Sequence, residues 1–245
     1  ADRIVSELGQ LLEAPKCPSG RMSVILMPDM MFLQVHETIG HALELDRILG
    51  YELSFAGGSF VRLEDFGKLQ YGSKKLNARA DATLINSPGS FGFDDDGVQA
   101  QDRQLIKDGI LVGAITSRQM VTEANEKAGR EIFDGPGGTN RACAFNRVPI
   151  ERMTNINVDP GEDGTLEDII RNTEYGVVLS GEKSWSIGSN REQFHFATDI
   201  GWLVEDGVKK HVVKDCAYSG MTLDFYRSLT AVGDASTWEV QYVDN

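Results

Sequence analysis

Apolar residues recur at helical spacing at the start of the chain, where Ile4, Val5, Leu8, Leu11 and Leu12 form one stripe, so the first element predicted is an amphipathic helix. Pro15, Pro18 and Gly20 end that pattern, and the run from Met22 to Met27 then reads as a buried strand. A second apolar run, Met30 to Leu33 with Val35, predicts a helix near residues 30–46. Two later segments, LIKDGILVGAIT and GWLVEDGVKKHVV, centre Asp108-Gly109 and Asp206-Gly207 between strand-like runs. Such pairs favour the positive φ angles of type I′ turns, so each segment predicts a hairpin. Short helices are predicted near 117–127, near 165–173 behind a capping Thr165, and near 222–230 behind Thr222. Most other periodic segments alternate like strands. The pattern therefore predicts an α+β fold, a curled, barrel-like antiparallel sheet with a few packed helices, in a single domain over 1–245.

Composition narrows the function classes. With 245 residues, 41% of them hydrophobic, the chain can bury a sizeable core. The formal charge is −13 and no Lys/Arg block exceeds a pair, so the electrostatic footprint of a nucleic-acid partner is missing. Cys17, Cys143 and Cys216 are odd in number and lack CxxC spacing, which fits a reducing compartment and predicts a cytoplasmic setting. Pro28 and Asp29 break the longest apolar stretch, far short of the roughly 20 residues a membrane helix needs, so no membrane partner is expected. The loop SPGSFGFDDDG carries Asp94, Asp95 and Asp96. They lack the spaced ligands of a calcium loop and read as a solvated turn.

The candidate chemistry lies in HETIGH, residues 36–41. Neutral imidazole is a good ligand for Zn²⁺, and a carboxylate beside the metal can take a proton from water that the metal acidifies. His36 and His41 are thus candidate metal ligands and Glu37 a candidate general base. Their spacing is unusual. The two histidines are five apart, and five steps of about 100° leave the rings roughly 140° apart on a regular helix. A one-residue π-bulge between them would realign the rings, and Gly40 eases a local distortion. The alternative is a buried helix with two structural histidines and a solvated glutamate.

Read as a unit, HETIGHALELD has the HExxGHxLExD form of the TldD/TldE (PmbA) metalloprotease family, through His36, Glu37, Gly40, His41, Leu43, Glu44 and Asp46. SFGFDDDGV at 90–98 and Arg152-Met153-Thr154-Asn155 resemble two further family segments, in the right order. The resemblance covers nearly the whole chain and implies the catalytic region of a TldD-like subunit, in which two motif histidines and a cysteine near the C-terminus hold the metal. That cysteine would fall beyond Asn245. Cys216 sits at the wrong place in the pattern, His195 alternates with Phe194 and Phe196 on a strand, and His211 lies on a hairpin strand. The family's N-terminal domain has no counterpart here, and a start without Met inside a helix predicts a fragment of a longer protein. The resemblance further implies Zn²⁺, an extended peptide substrate, and a homodimer or a heterodimer with a TldE-like subunit. Glu44 and Asp46 are candidates to orient an imidazole, and Arg152 and Asn155 to contact substrate. The rival reading is a non-catalytic peptide-binding or assembly subunit that keeps HETIGH but has lost the metal. An older reading of the family, as modulators of a DNA topoisomerase, conflicts with the acidic charge.

Overall fold

Both Asp-Gly pairs form the turns their chemistry predicts: Asp108 and Gly109 have φ of 49° and 79°, Asp206 and Gly207 of 51° and 74°. The structure is a computed structural model that describes residues 2–242. Its elements run α1 (Asp2–Glu13), β1 (Ser23–Leu26), α2 (Pro28–Val35), α3 (Leu45–Leu49), β2 (Ala78–Asp81), β3 (Asp102–Lys107), β4 (Ile110–Leu111), α4 (Arg118–Ala128), β5 (Asn140–Arg141), β6 (Ile150–Glu151), β7 (Ile156–Val158), α5 (Leu166–Arg171), β8 (Tyr175–Ile187), β9 (Gln193–Glu205), β10 (Val208–Val213), β11 (Ala217–Met221) and α6 (Thr222–Arg227). Thr165 caps α5 in a reciprocal capping box with Asp168, and the Ser117 hydroxyl caps α4 by accepting from Met120 N–H.

The fold is mixed α+β, but the curled, barrel-like sheet is not found. Strands divide among a five-stranded, a four-stranded and a two-stranded sheet. In the largest, β9 pairs with β8 along one edge and with β10 and then β11 along the other, while β1 adds at the far side of β8. Closure would require β1 to reach β10 or β11, and it does not. The sheet is also not wholly antiparallel, because β1 runs parallel to β8 in register Ser23↔Gly176 to Leu26↔Leu179. A chain separation this long leaves no local trace in sequence.

The helix expected near 30–46 is broken into pieces. After α2, residues His36–Gly40 form a π-helical turn and His41–Leu43 a single 3₁₀ turn; Glu44 is then extended (φ −70°, ψ 120°) before α3 begins. Packing gives the reason. Met30 and Leu33 of α2 are buried against Val177, Leu179, Phe194 and Phe196 of the five-stranded sheet. Val35, Ile39, Leu43 and Leu45 are buried instead with Leu105, Ile106 and Leu111, against the four-stranded sheet. One α-helical stripe cannot serve both cores. Each such side chain contributes about 1.5–3 kcal/mol on burial, which outweighs the loss of regular helical bonding in one turn.

The aspartate run also differs from the solvated turn expected. Asp94 is buried; its Oδ1 accepts from the N–H groups of Asp96 and Val98 and its Oδ2 from Asn140 N–H. Asp95 and Asp96 accept from Ala142 N–H and the Asn140 side-chain amide. The run ties its loop to β5.

Candidate metal centre

The π turn is closed by His41 N–H donating to the carbonyl of His36, five residues back. That wide turn brings the two rings together, with centroids 4.6 Å apart and planes at 82°. Carbonyls released from regular helical bonding find buried partners. Tyr71 donates its hydroxyl to the Thr38 carbonyl, and the Gln34 carbonyl accepts from the hydroxyls of Thr38 and, at 3.4 Å, Tyr226. Gln34 itself is held by Tyr218, whose hydroxyl donates to Oε1 at 3.0 Å. Three tyrosines, each distant in sequence from the motif, thus fix the turn. Gly40 serves a purpose other than backbone freedom, since its φ of −54° suits any residue. A Cβ there would collide with the Met153 thioether, so glycine lets β6 and its following loop approach the motif.

Electrostatics keeps one imidazole neutral and orients the other. Burial, and then the neighbouring His41, pushes His36 down to about 3, so its ring is neutral and offers a lone pair. His41 Nδ1 lies 2.9 Å from Glu44 Oε2, which leaves Nε2 free to donate to a metal. Glu44 is fully buried and shares the same oxygen with the Arg47 guanidinium. Burial opposes its ionisation, yet the bond to His41 and the charges around it keep its pKa below the usual carboxylate value. Its other oxygen, Oε1, has no hydrogen-bond partner among the described residues. Glu37, on the π turn beside His36, is buried and accepts no hydrogen bond among the described residues.

The other candidates fall into distinct places. The Asp46 carboxyl bonds neither imidazole; burial and the nearby Glu44 and Glu52 raise it to about 7. Its backbone N–H donates to Glu151 Oε2, while Glu151 Oε1 accepts from Ser117 N–H. Burial and Asp46 push Glu151 up to about 8. Arg152 donates to the Glu151 carbonyl and lines a groove of about 2610 Å³ that also exposes His36 and the free edge of β1. Asn155 lines the same groove, yet its amide is spent on Asp81, Ser90 and Gly89, tying a loop to β2. His195 and His211 are exposed on the large sheet, and Cys216 is buried in its core. Among the described residues no group of three or more His, Cys, Asp or Glu side chains is placed to hold a metal ion. The two imidazoles fit a metal as donors; a third donor has to come from outside that set.

Sequence reasoning missed Tyr71, Tyr226, Glu151 and Arg191. Arg191 is buried in the turn between β8 and β9, and its charge acts on His36. Its one signal was the pairing of Gly57-Gly58 with a Gly-Ser-Asn-Arg turn, two flexible segments able to meet closely.

Two imidazoles and a carboxylate on one distorted turn are residue types that metal-dependent hydrolases use as donors and base, and the comparisons with known proteins point to relatives named for that class. Residues 19–243 match the family described as the PmbA/TldA metallopeptidase C-terminal domain, and the chain belongs to that family. It is 32% identical over 223 residues to a metalloprotease of Methanocaldococcus jannaschii, covering 91% of this chain and 46% of that protein. It is 27% identical over 232 residues to a zinc metalloprotease TldD homolog of Saccharolobus solfataricus, covering 94% and 47%. The fold is similar to that of TldE from Thermococcus kodakarensis, with a TM-score of 0.75 at 17% identity over 95% of this chain and 49% of that one. The chain therefore spans about half the length of these relatives. No helix among the described residues is long and apolar enough to cross a membrane.

Proposed function

We propose that this chain carries the catalytic half-site of a zinc-dependent peptidase, with His36 and His41 as metal ligands and Glu37 as general base. The observation that carries the reading is the π turn, which sets the two imidazoles edge to face at 4.6 Å with Glu44 holding one of them. Zinc, when bound, would polarise the scissile carbonyl and acidify a water. The Glu37 carboxylate would accept a proton from the attacking water and return it to the leaving amine nitrogen. Glu44 would keep His41 in the tautomer that donates through Nε2. An extended peptide would add to the free edge of β1 in the groove beside His36, with Arg152 at its rim; such strand addition reads backbone and suits unfolded substrates. The zinc in the name of the Saccharolobus relative and the TldE title of the structural neighbour support a zinc site and a paired subunit, identical or TldE-like. Three free thiols fit a reducing, cytoplasmic setting.

A second reading, a non-catalytic peptide-binding subunit, is favoured by the count of two donors among the described residues. Metal content and cleavage in the full-length protein separate the two. Near-stoichiometric zinc, together with cleavage of an unstructured quenched peptide that Glu37→Gln reduces by at least about 10³-fold without losing metal, is the result expected of the peptidase. A full-length protein free of metal and inactive would sink it.

A further inference from the structure

The segment that leads into β1 lies against the corner between β10 and β11, and backbone bonds lace the two together. Lys16 and Lys214 form an isolated parallel bridge. Cys17 N–H donates to the Lys214 carbonyl at 2.8 Å, and Lys214 N–H donates to the Pro15 carbonyl at 3.0 Å. Cys17 stands one residue beyond that bridge and Cys216 two. With neighbouring strands about 4.8 Å apart and a rise of about 3.3 Å per residue, their Cα atoms fall roughly 6 Å apart. Disulfides span about 4.4–6.8 Å between Cα atoms.

In an unbroken ladder the two side chains would fall on opposite faces. Asp215 breaks the ladder with a φ of 55°, and the thiols meet: a side-chain hydrogen bond joins Cys17 to Cys216. Cys17 also packs on the core cluster that contains Cys216, Val213 and Leu179. Space for the inner sulfur is kept on β9, where a Cβ on Gly201 would come within 2.7 Å of Cys216 Sγ. The two thiols differ in access. Cys216 is 2% exposed and donates to the Val213 carbonyl at 3.5 Å, whereas Cys17 is half-buried and lines the groove. Burial, and then Cys17, push the Cys216 thiol up to about 12, so it stays protonated and does not start thiol chemistry.

We propose that Cys17 and Cys216 form a redox-active dithiol, a site at which a low-molecular-weight disulfide entering from the groove oxidises the pair to an internal disulfide. The Cys17 thiol loses its proton to solvent and its sulfur attacks the small disulfide; a mixed disulfide forms, the incoming S–S bond breaks, and one small thiolate leaves and takes up a proton. Cys216 then gives up its proton and attacks Cys17 Sγ, the mixed bond breaks, and the second small thiol departs. Two protein thiols are oxidised and one disulfide is reduced to two thiols, with no further reactant. Proximity offsets the low thiolate fraction of Cys216 in the second step. The product fastens the segment before β1, whose free edge faces the groove, to the corner of the five-stranded sheet. Neither step involves the metal motif, so the outcome does not depend on the peptidase reading.

The test equilibrates the reduced full-length protein with graded ratios of reduced to oxidised glutathione, natively and in urea, then quenches with acid, alkylates free thiols and maps the peptides without reduction. The native protein should yield a Cys17–Cys216 peptide lighter by two hydrogens, with an equilibrium constant at least about 10²-fold greater than in urea, where roughly 200 residues of flexible chain separate the thiols. Exposed Cys143 should end as a mixed disulfide with glutathione. Cys216→Ser should trap the mixed disulfide on Cys17, and Cys17→Ser should leave Cys216 unmodified in the native protein. Linkage constants equal in native buffer and urea would overturn the proposal, as would Cys17 and Cys216 both alkylated at every ratio, or Cys17 held as a glutathione adduct in the wild type. Glutathione on Cys216 in native Cys17→Ser would overturn the assigned order of attack. The wild-type linkage needs no variant, so a Cys216→Ser protein that fails to fold leaves the decision to the two constants.

Discussion

Glu44 and Asp94 are both buried carboxylates in short irregular segments, yet their surroundings are opposite. Asp94 accepts three backbone N–H bonds, from Asp96, Val98 and Asn140, and both oxygens are occupied. Glu44 directs one oxygen to both His41 and Arg47 and leaves the other without a partner. A structural carboxylate is satisfied by fixed backbone donors. Glu44, the carboxylate beside the candidate metal ligands, carries an imbalance that the surrounding charges must balance, and Asp46, Glu52 and Arg191 near it likewise keep atoms without a hydrogen-bond partner among the described residues. Among the described residues, five of the eight buried polar atoms without a hydrogen-bond partner lie near the motif, and the other three belong to Asp29, Asn140 and Thr154; unsatisfied polarity is thus enriched, not exclusive, there.

Removing each carboxylate breaks the comparison most sharply. Glu44→Ala leaves Arg47 buried without a counter-charge and should cost about 3–5 kcal/mol of stability. It should also weaken zinc binding by the full-length protein about 10- to 100-fold, because His41 loses the group that fixes its ring. Urea titration and chelator competition check the two effects. Asp94→Ala should cost less, about 2–3 kcal/mol for three stranded donors that partly find water, and leave zinc affinity unchanged. A zinc defect in Asp94→Ala would erase the distinction drawn here.

Local elements of the fold were legible in sequence because their causes are local. The two Asp-Gly turns, the Thr165 cap and the need to distort the helix between His36 and His41 all follow from a few adjacent residues. The sheet arrangement was not legible: β1 pairs with β8 across some 150 residues, and nothing in either strand names its partner. The acidic run was misread for the same reason, since the donors that bury Asp94 include Asn140, far along the chain. In the candidate site, residue types and spacing identified the imidazoles, and Glu44 lay close enough to be suspected. Tyr71, Tyr226, Glu151 and Arg191 reach the site through tertiary packing, so no window of sequence around HETIGH contains them.

Gly40 offers a smaller and more selective perturbation. Its backbone is helical, so alanine there brings no dihedral strain; the cost is displacement of Met153, whose thioether occupies the space of the new methyl. Moving a buried but flexible methionine should cost about 1–2 kcal/mol. Gly40→Ala combined with Met153→Ala should recover part of the penalty, since the clash then has no partner. Strict additivity of the two single variants would show that the glycine is needed for the π turn itself, contrary to the geometry.

The most gradual effect expected is a slope of stability with pH, and its sign follows from which protons the folded state holds. His36 is held down to about 3 against roughly 6.5 when unfolded, so the unfolded chain binds the extra proton between these values. Stability should therefore rise with pH up to about 6.5 on this account and then level off. Glu151 and Asp46 act in the opposite sense. With folded values raised to about 8 and about 7, the native state binds more protons than the unfolded chain above roughly 4, and stability from this pair falls as pH rises through those values. The histidine offsets only one of the two protons, and above 6.5 not even that, so stability of the metal-free protein should decline most steeply between about pH 6.5 and 8, by on the order of 1–2 kcal/mol per pH unit. Urea midpoints across this range check it. Glu151→Gln should flatten the decline, because one of the two raised carboxyls is gone; a decline of unchanged slope in that variant would remove the Asp46–Glu151 pair as its source.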